Sequence, residues 1–174
     1  MNIPDNILKK SLRNVYFIWG TGRTTAANIL AEKYGIFVYH TDDERSLHIR
    51  NAHSDYQPAM CRTVSDYTSL EREDIEKWER DIIKEYTSMV VIDLIEMATK
   101  HDIIICEGDI DIDQIMPVVT NAVSISNYSD TVAGVRIPAE TQKYGVKQII
   151  RTDDISAEET ALKIARYFGF EKKV

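Results

Sequence analysis

"FIWGTGRTTAANILAEKYG", residues 17–35, is the stretch on which the reading of this chain turns. It begins inside a short apolar run, "VYFIW" (Val15 to Trp19), whose β-branched and aromatic side chains predict a strand. Gly20 and Gly22 follow, then "TTAANILAEKY", which predicts a helix capped by Thr24 and ended by Gly35 in the left-handed conformation. A strand, a glycine turn and a helix are the layout of a phosphate-binding loop. Glycines let backbone N–H groups approach an anion closely. The free amides and dipole of the helix start favour negative charge. A lysine bridges the outer phosphates, and a Ser/Thr hydroxyl serves Mg2+.

The loop departs from G-x-x-x-x-G-K-[ST] in two ways. Gly22, Arg23 and Thr24 stand at its end, with arginine in place of lysine. The first glycine should then fall at Phe17, inside the strand, whereas Gly20 is the glycine at the strand's end. The loop is about three residues short, which removes up to ~10 Å of contour. It can present the helix start to a phosphate from one side but not curl round one. Gly20, Thr21, Gly22, Arg23, Thr24 and Thr25 are the candidate phosphate-binding residues. Arg23 suits bidentate phosphate contact, though it does not replace a compact ammonium held between two phosphates. The bland alternative is that the glycines only turn a strand into a helix. An Arg23 drawn into a salt link would favour that alternative.

Downstream, "IFVYH" (36–40) predicts strand two. "LEREDIEKWERDIIKEYTSMVVIDLIEMATKH" (70–101) repeats apolar residues at helical spacing, giving one long helix or two with a break near Thr87. "DIIIC" (102–106), "NAVSIS" (121–126) and "VKQII" (146–150) predict strands three to five, and "QIMPVV" (114–119) a short helix interrupted by Pro117. In "SAEETALKIARYFG" (156–169), Ser156 and Glu159 form a capping box and Gly169 ends the helix. Alternating strands and helices imply a parallel sheet covered on both faces. The expected fold is α/β, a three-layer sandwich on five parallel strands. Ligands in such sheets bind outside the carboxyl ends of the strands. Those ends read "WGTGRTT", "YHTDDER", "CEGDIDID", "SNYSD" and "RTDD", and most are polar or charged.

At 174 residues the chain suits one domain, 1–174, able to bury roughly 70% of its unfolded surface. A net charge of −7 argues against nucleic acid or an anionic membrane as a partner. Cys61 and Cys106 lack metal-ligand spacing, and Cys106 sits in an apolar run. Two thiols without a disulfide framework, no signal-like N-terminus and no apolar stretch of ~20 residues lead to the expectation of a cytoplasmic protein.

"NVYFIWGTGRTTAANILAEKYGIFVYHTDD" is similar to the first β-α-β unit of the P-loop small-molecule kinases: the shikimate kinase-like, nucleoside and nucleotide kinase-like and antibiotic phosphotransferase-like enzymes. "DIIICEGD" resembles their third strand, and "VKQIIRTDDISAEETALKIARYFGF" their last strand, adenine-side loop and closing helix. The resemblance implies a P-loop nucleoside triphosphate hydrolase fold. It further implies phosphoryl transfer from ATP to a hydroxyl of a small molecule, with ATP and Mg2+ as cofactors. Asp42 would be the base that accepts the hydroxyl proton, and Arg23 would assist catalysis. Asp43, Arg45 and Arg62 would contact the substrate. Thr24 with Glu107 or Asp109 would hold Mg2+. Arg151, Thr152 and Asp153 would lie against the adenine. The arginine-bearing lid of these kinases is reduced here: "SNYSDTVAGVRIPAETQKYGVK" holds only Arg136.

Each feature has a plainer account. Asp42 and Asp43 can be a solvated turn, or Asp42 the cap of a helix from Glu44. Asp153 or Asp154 can serve the start of the last helix. "DIDID" (109–113) can share one face and bind a cation, but a polar edge leading into a helix at Asp113 is the better account. His40, His48, His53 and His101 lack metal spacing; His40 is placed to line a pocket. Trp19 reads as core. Two functions therefore stand: a small-molecule kinase, or a degenerate P-loop protein that binds a nucleotide, phosphate or protein partner without catalysis.

Overall fold

Val15, Phe17 and Trp19 face one way along the first strand and Tyr16 and Ile18 the other, and this alternation organises the molecule. The structure is a computed structural model that describes residues 4–63, 66, 70–119, 121–126 and 149–172. Its elements run α1 (Asp5–Ser11), β1 (Val15–Gly20), α2 (Arg23–Tyr34), β2 (Phe37–His40), α3 (Thr41–Asn51), α4 (Arg72–Met97), β3 (Ile104–Glu107), α5 (Ile112–Ile115), β4 (Ala122–Ser126), β5 (Ile149–Arg151) and α6 (Ala157–Phe168). A 3-10 turn, Phe170–Lys172, follows.

The strands form one parallel sheet in the order β2-β3-β1-β4-β5. The chain leaves β1 for the outer β2, returns to β3, and then crosses to β4 on the other side of β1. The carboxyl end of β1 is thus the switch point, where connections diverge and where sheets of this kind bind ligands. Tyr16, Ile18, Ile105, Val123 and Ile125 pack on one face against Ala27 and Leu30 of α2 and Ala161, Ile164 and Ala165 of α6. Val15, Phe17, Ile104 and Cys106 pack on the other against Tyr86, Val90 and Leu94 of α4. These are the expected three layers, α/β with a five-stranded parallel sheet.

Several boundaries differ from expectation. The N-cap of α2 is Gly22, at φ 85°, so Thr24 lies in the first turn and does not cap it. Helix α3 begins at Thr41, three residues earlier than Glu44, which places Asp42 in its first turn. Helix α4 runs unbroken through Thr87, whose hydroxyl donates to Ile83 O (2.7 Å) and accepts from Asp111 N (2.7 Å). Strand β3 is shifted towards Glu107, and α5 starts at Ile112 with Asp111 as its cap, accepting from Asp113 N at 2.9 Å. Strand β5 includes Arg151, while residues 146–148 and the lid segment at 127–148, with Arg136, lie outside the described residues. The capping box of Ser156 and Glu159 and the left-handed Gly169 are as expected.

Candidate active site

Glu107 ends β3 between His40 of β2 and Ile18 of β1. Ile105 points towards α2, and Glu107, two residues on, shares that face. A carboxylate only 3% exposed needs partners for its lone pairs. Arg23 Nε donates to Oε2 at 3.0 Å, and the Thr24 hydroxyl donates to the same oxygen at 3.1 Å. His40 Nδ1 lies 2.5 Å from Oε1. The arginine also reaches outward: one terminal nitrogen is 3.1 Å from Asp109 and 3.6 Å from Asp42. Five candidates drawn from three separate segments, Arg23, Thr24, Asp42, Glu107 and Asp109, therefore meet at one corner. His40 joins them.

Arg23 sits in the salt link that counts against phosphate contact. Its guanidinium is turned back onto three carboxylates instead of outward from the helix start. Three carboxylates against one guanidinium leave two negative charges before His40 is counted. The helix start itself is open. Gly22 offers no capping side chain, and a Cβ built there meets nothing within 4 Å. Gly20 has a structural reason of its own. At φ 94°, its Cβ would fall 1.8 Å from the carbonyl oxygen of Ile125 on β4.

Asp42 is placed by Thr41. The Thr41 side chain is fully buried and fills the space over Gly108, where a Cβ would lie 1.8 Å from Thr41 Oγ1. The Tyr86 hydroxyl on α4 donates to the Thr41 carbonyl. Farther along α3, His48 Nε2 lies 3.1 Å from Asp93, which also accepts from the Tyr39 hydroxyl at 2.7 Å. Helix α3 is thus pinned at both ends to β2 and α4, with Asp42 at the rim, its side chain 56% exposed. Burial pushes the Tyr86 phenol up to about 12, with Asp42 adding to the rise. Burial first, and Asp93 second, hold Tyr39 above its ordinary range. Sequence reasoning missed this anchoring because the α4 partners of Thr41 and His48, Tyr86 and Asp93, lie more than 40 residues away.

The other candidates are dispersed. Asp43 is exposed in the first turn of α3. Arg45, three residues after Asp42 on α3, lies 5.9 Å from the centre of the Tyr86 ring. Arg62 lies over Trp78 at 5.7 Å, and Trp78 precedes Tyr86 by about 12 Å along α4. Arg151, Thr152 and Asp153 close β5, two strand positions from β1, or about 10 Å.

The oxygen donors are hard, as Mg2+ prefers, but their arrangement does not fit it. Glu107 Oε2 accepts from both Arg23 and Thr24, so a divalent cation on that oxygen would stand against the Arg23 guanidinium. Among the described residues no group of three or more His, Cys, Asp or Glu is disposed to hold a metal.

No family model and no curated protein matches the chain. Among solved structures it is similar to dephospho-CoA kinase from Campylobacter jejuni, at 10% identity and a TM-score of 0.50, over 90% of this chain and 96% of that one. It also aligns with a candidate kinase from Chloroflexus aurantiacus j-10-fl, at 12% identity and a TM-score of 0.42, over 89% and 95% of the two chains. The first likeness shows the fold alone: an α/β sandwich on a five-stranded parallel sheet, as in that dephospho-CoA kinase. Among the described residues no helix is long and apolar enough to cross a membrane.

Proposed function

We propose that this chain takes the phosphate end of a nucleotide at the opening turn of α2 and transfers a phosphoryl group from ATP to a hydroxyl of a small molecule. What carries the reading is the meeting of Arg23, Thr24, Asp42, Glu107 and Asp109 beside an open helix start, at the switch point of a kinase-like sheet. In this reading Asp42 accepts the hydroxyl proton at its carboxylate, from the first turn of a helix pinned by Thr41 and Tyr86. The amides after Gly22 hold the phosphates. In this reading Arg45 would contact the acceptor, and Arg151, Thr152 and Asp153 the base of the nucleotide.

A second reading, binding without transfer, is favoured by one observation. Arg23, the residue that would follow charge onto the transferred group, is held by three carboxylates.

Thermal unfolding with ATP tests the shared premise. At a hundred times its Kd, ATP should stabilise the protein by about 2.7 kcal/mol. Gly22→Asp sets a carboxylate over the helix amides and should abolish the shift; Gly22→Ala carries backbone strain without a capping oxygen and should keep it. No shift at millimolar ATP ends both readings. Product formation from γ-labelled ATP then separates transfer from binding.

A further inference from the structure

Arg23 stands where a divalent cation is expected. We propose that its guanidinium is the resident cation of this corner, so that the corner takes its phosphate ligand without a divalent metal. The inference rests on phosphate binding at α2 for its second half only.

The guanidinium has the surroundings of a bound cation. Nε meets Glu107 at 3.0 Å, and a terminal nitrogen meets Asp109 at 3.1 Å and Asp42 at 3.6 Å. These acids come from β3, the turn after it and α3, while Arg23 is the first residue of α2. The cation thus joins three segments that are far apart in the chain, at residues 23, 42 and 107–109. A metal on Glu107 has no free route. Oε2 already accepts from Arg23 and Thr24, and Oε1 faces His40. A metal entering at Oε2 must expel the guanidinium or sit against it, two cations in contact. Arginine cannot vacate the place by losing its proton. His40 is the remaining titratable group at Glu107, and Asp42 and Asp109 face the guanidinium from α3 and the β3 turn.

Paramagnetic resonance of Mn2+ with the full chain, free of nucleotide, tests the cation assignment directly. Mn2+ should remain unbound through the low millimolar range in the wild type, and Arg23→Gln should tighten its binding at least about tenfold. Stoichiometric wild-type Mn2+ binding that Glu107→Gln removes would overturn the proposal. Should Arg23→Gln fail to fold, the wild-type titration decides alone. The ATP-induced thermal shift should be equal in Mg2+ and in EDTA; a shift that EDTA abolishes also overturns it. A protein that binds neither ATP nor Mn2+ refutes phosphate binding and leaves the resident-cation assignment standing.

Discussion

Arg23 Nε lies 3.0 Å from Glu107 Oε2, so the first residue of α2 is tied to the last residue of β3 through a carboxylate that is 3% exposed. Surface ion pairs contribute little, but removing one partner of a buried pair strands the other. Glu107→Gln keeps the shape and removes the charge that Arg23, Thr24 and His40 share. Because Asp42 and Asp109 still face Arg23, the loss should fall below that of a fully buried pair, at about 2–3 kcal/mol. For a chain of this length, that lowers Tm by roughly 5–10 °C. A calorimetric Tm within about 1 °C of wild type would show that the link does not tie α2 to β3.

Asp42 stands at the rim of the corner, 3.6 Å from Arg23, with its side chain 56% exposed. It contributes little to stability there. As a general base it contributes typically ~10²–10⁴-fold to rate. Asp42→Asn should therefore lower phosphoryl transfer by at least about a hundredfold while leaving Tm and the ATP-induced shift unchanged. Equal loss of transfer and nucleotide binding would assign Asp42 to binding instead.

The layers were legible in the sequence because they rest on local pattern. The runs at Val15, Ile104 and Ala122 are short and apolar, and Ser156 with Glu159 marks a helix start by side chains alone. The meeting of Arg23, Thr24, Asp42, Glu107 and Asp109 was legible as position, since each lies at the carboxyl end of a strand or just beyond it. Their pairing was not. Whether Arg23 faces a phosphate or Glu107 depends on residues 84 apart in sequence, a separation that no local period encodes. Helix α3 is weakly marked in the sequence, which allows a solvated turn at Asp42 and Asp43 or a helix from Glu44, because its polar residues outnumber its apolar ones; it is held by Thr41 and His48, two buried polar anchors. Helix α1 went unread because it buries none of its own residues.

Gly108 and Thr41 divide one small volume. A Cβ on Gly108, at φ 133°, would lie 1.8 Å from Thr41 Oγ1 and 2.9 Å from Thr41 Cβ. Gly108→Ala should cost at least about 2 kcal/mol through strain and displacement of Thr41. Thr41→Ala removes the nearer atom but not Cβ, so the double variant should recover part of that loss. A double-mutant cycle measures the coupling, expected at about 1 kcal/mol. An additive cycle would mean that the turn after β3 moves as a whole and that Thr41 does not position α3.

Alkaline pH should weaken the fold in two stages. Burial raises the Cys106 thiol well above its ordinary 9.0, with Glu107 adding to the rise. Burial likewise raises Tyr39 and Tyr86 above 10.0. In each case the folded state holds its proton at a pH where the unfolded chain has released it. The unfolded state then binds fewer protons, and stability falls as pH rises. The contribution is intact below about pH 9, begins to fall there through Cys106, and falls more steeply above about pH 10 as the tyrosines join. It continues to fall until each group titrates in the folded protein, which for Tyr86 is about 12. Each fully engaged group adds a slope of about 1.4 kcal/mol per pH unit. Denaturant midpoints between pH 8 and 11 measure this directly. Cys106→Ala should remove the first stage, at a packing cost that is the same at every pH, and Tyr86→Phe should reduce the second. A midpoint that is flat from pH 8 to 11 would mean that these three side chains ionise in the folded protein as readily as in the unfolded chain, and that the interior behind the corner is wet.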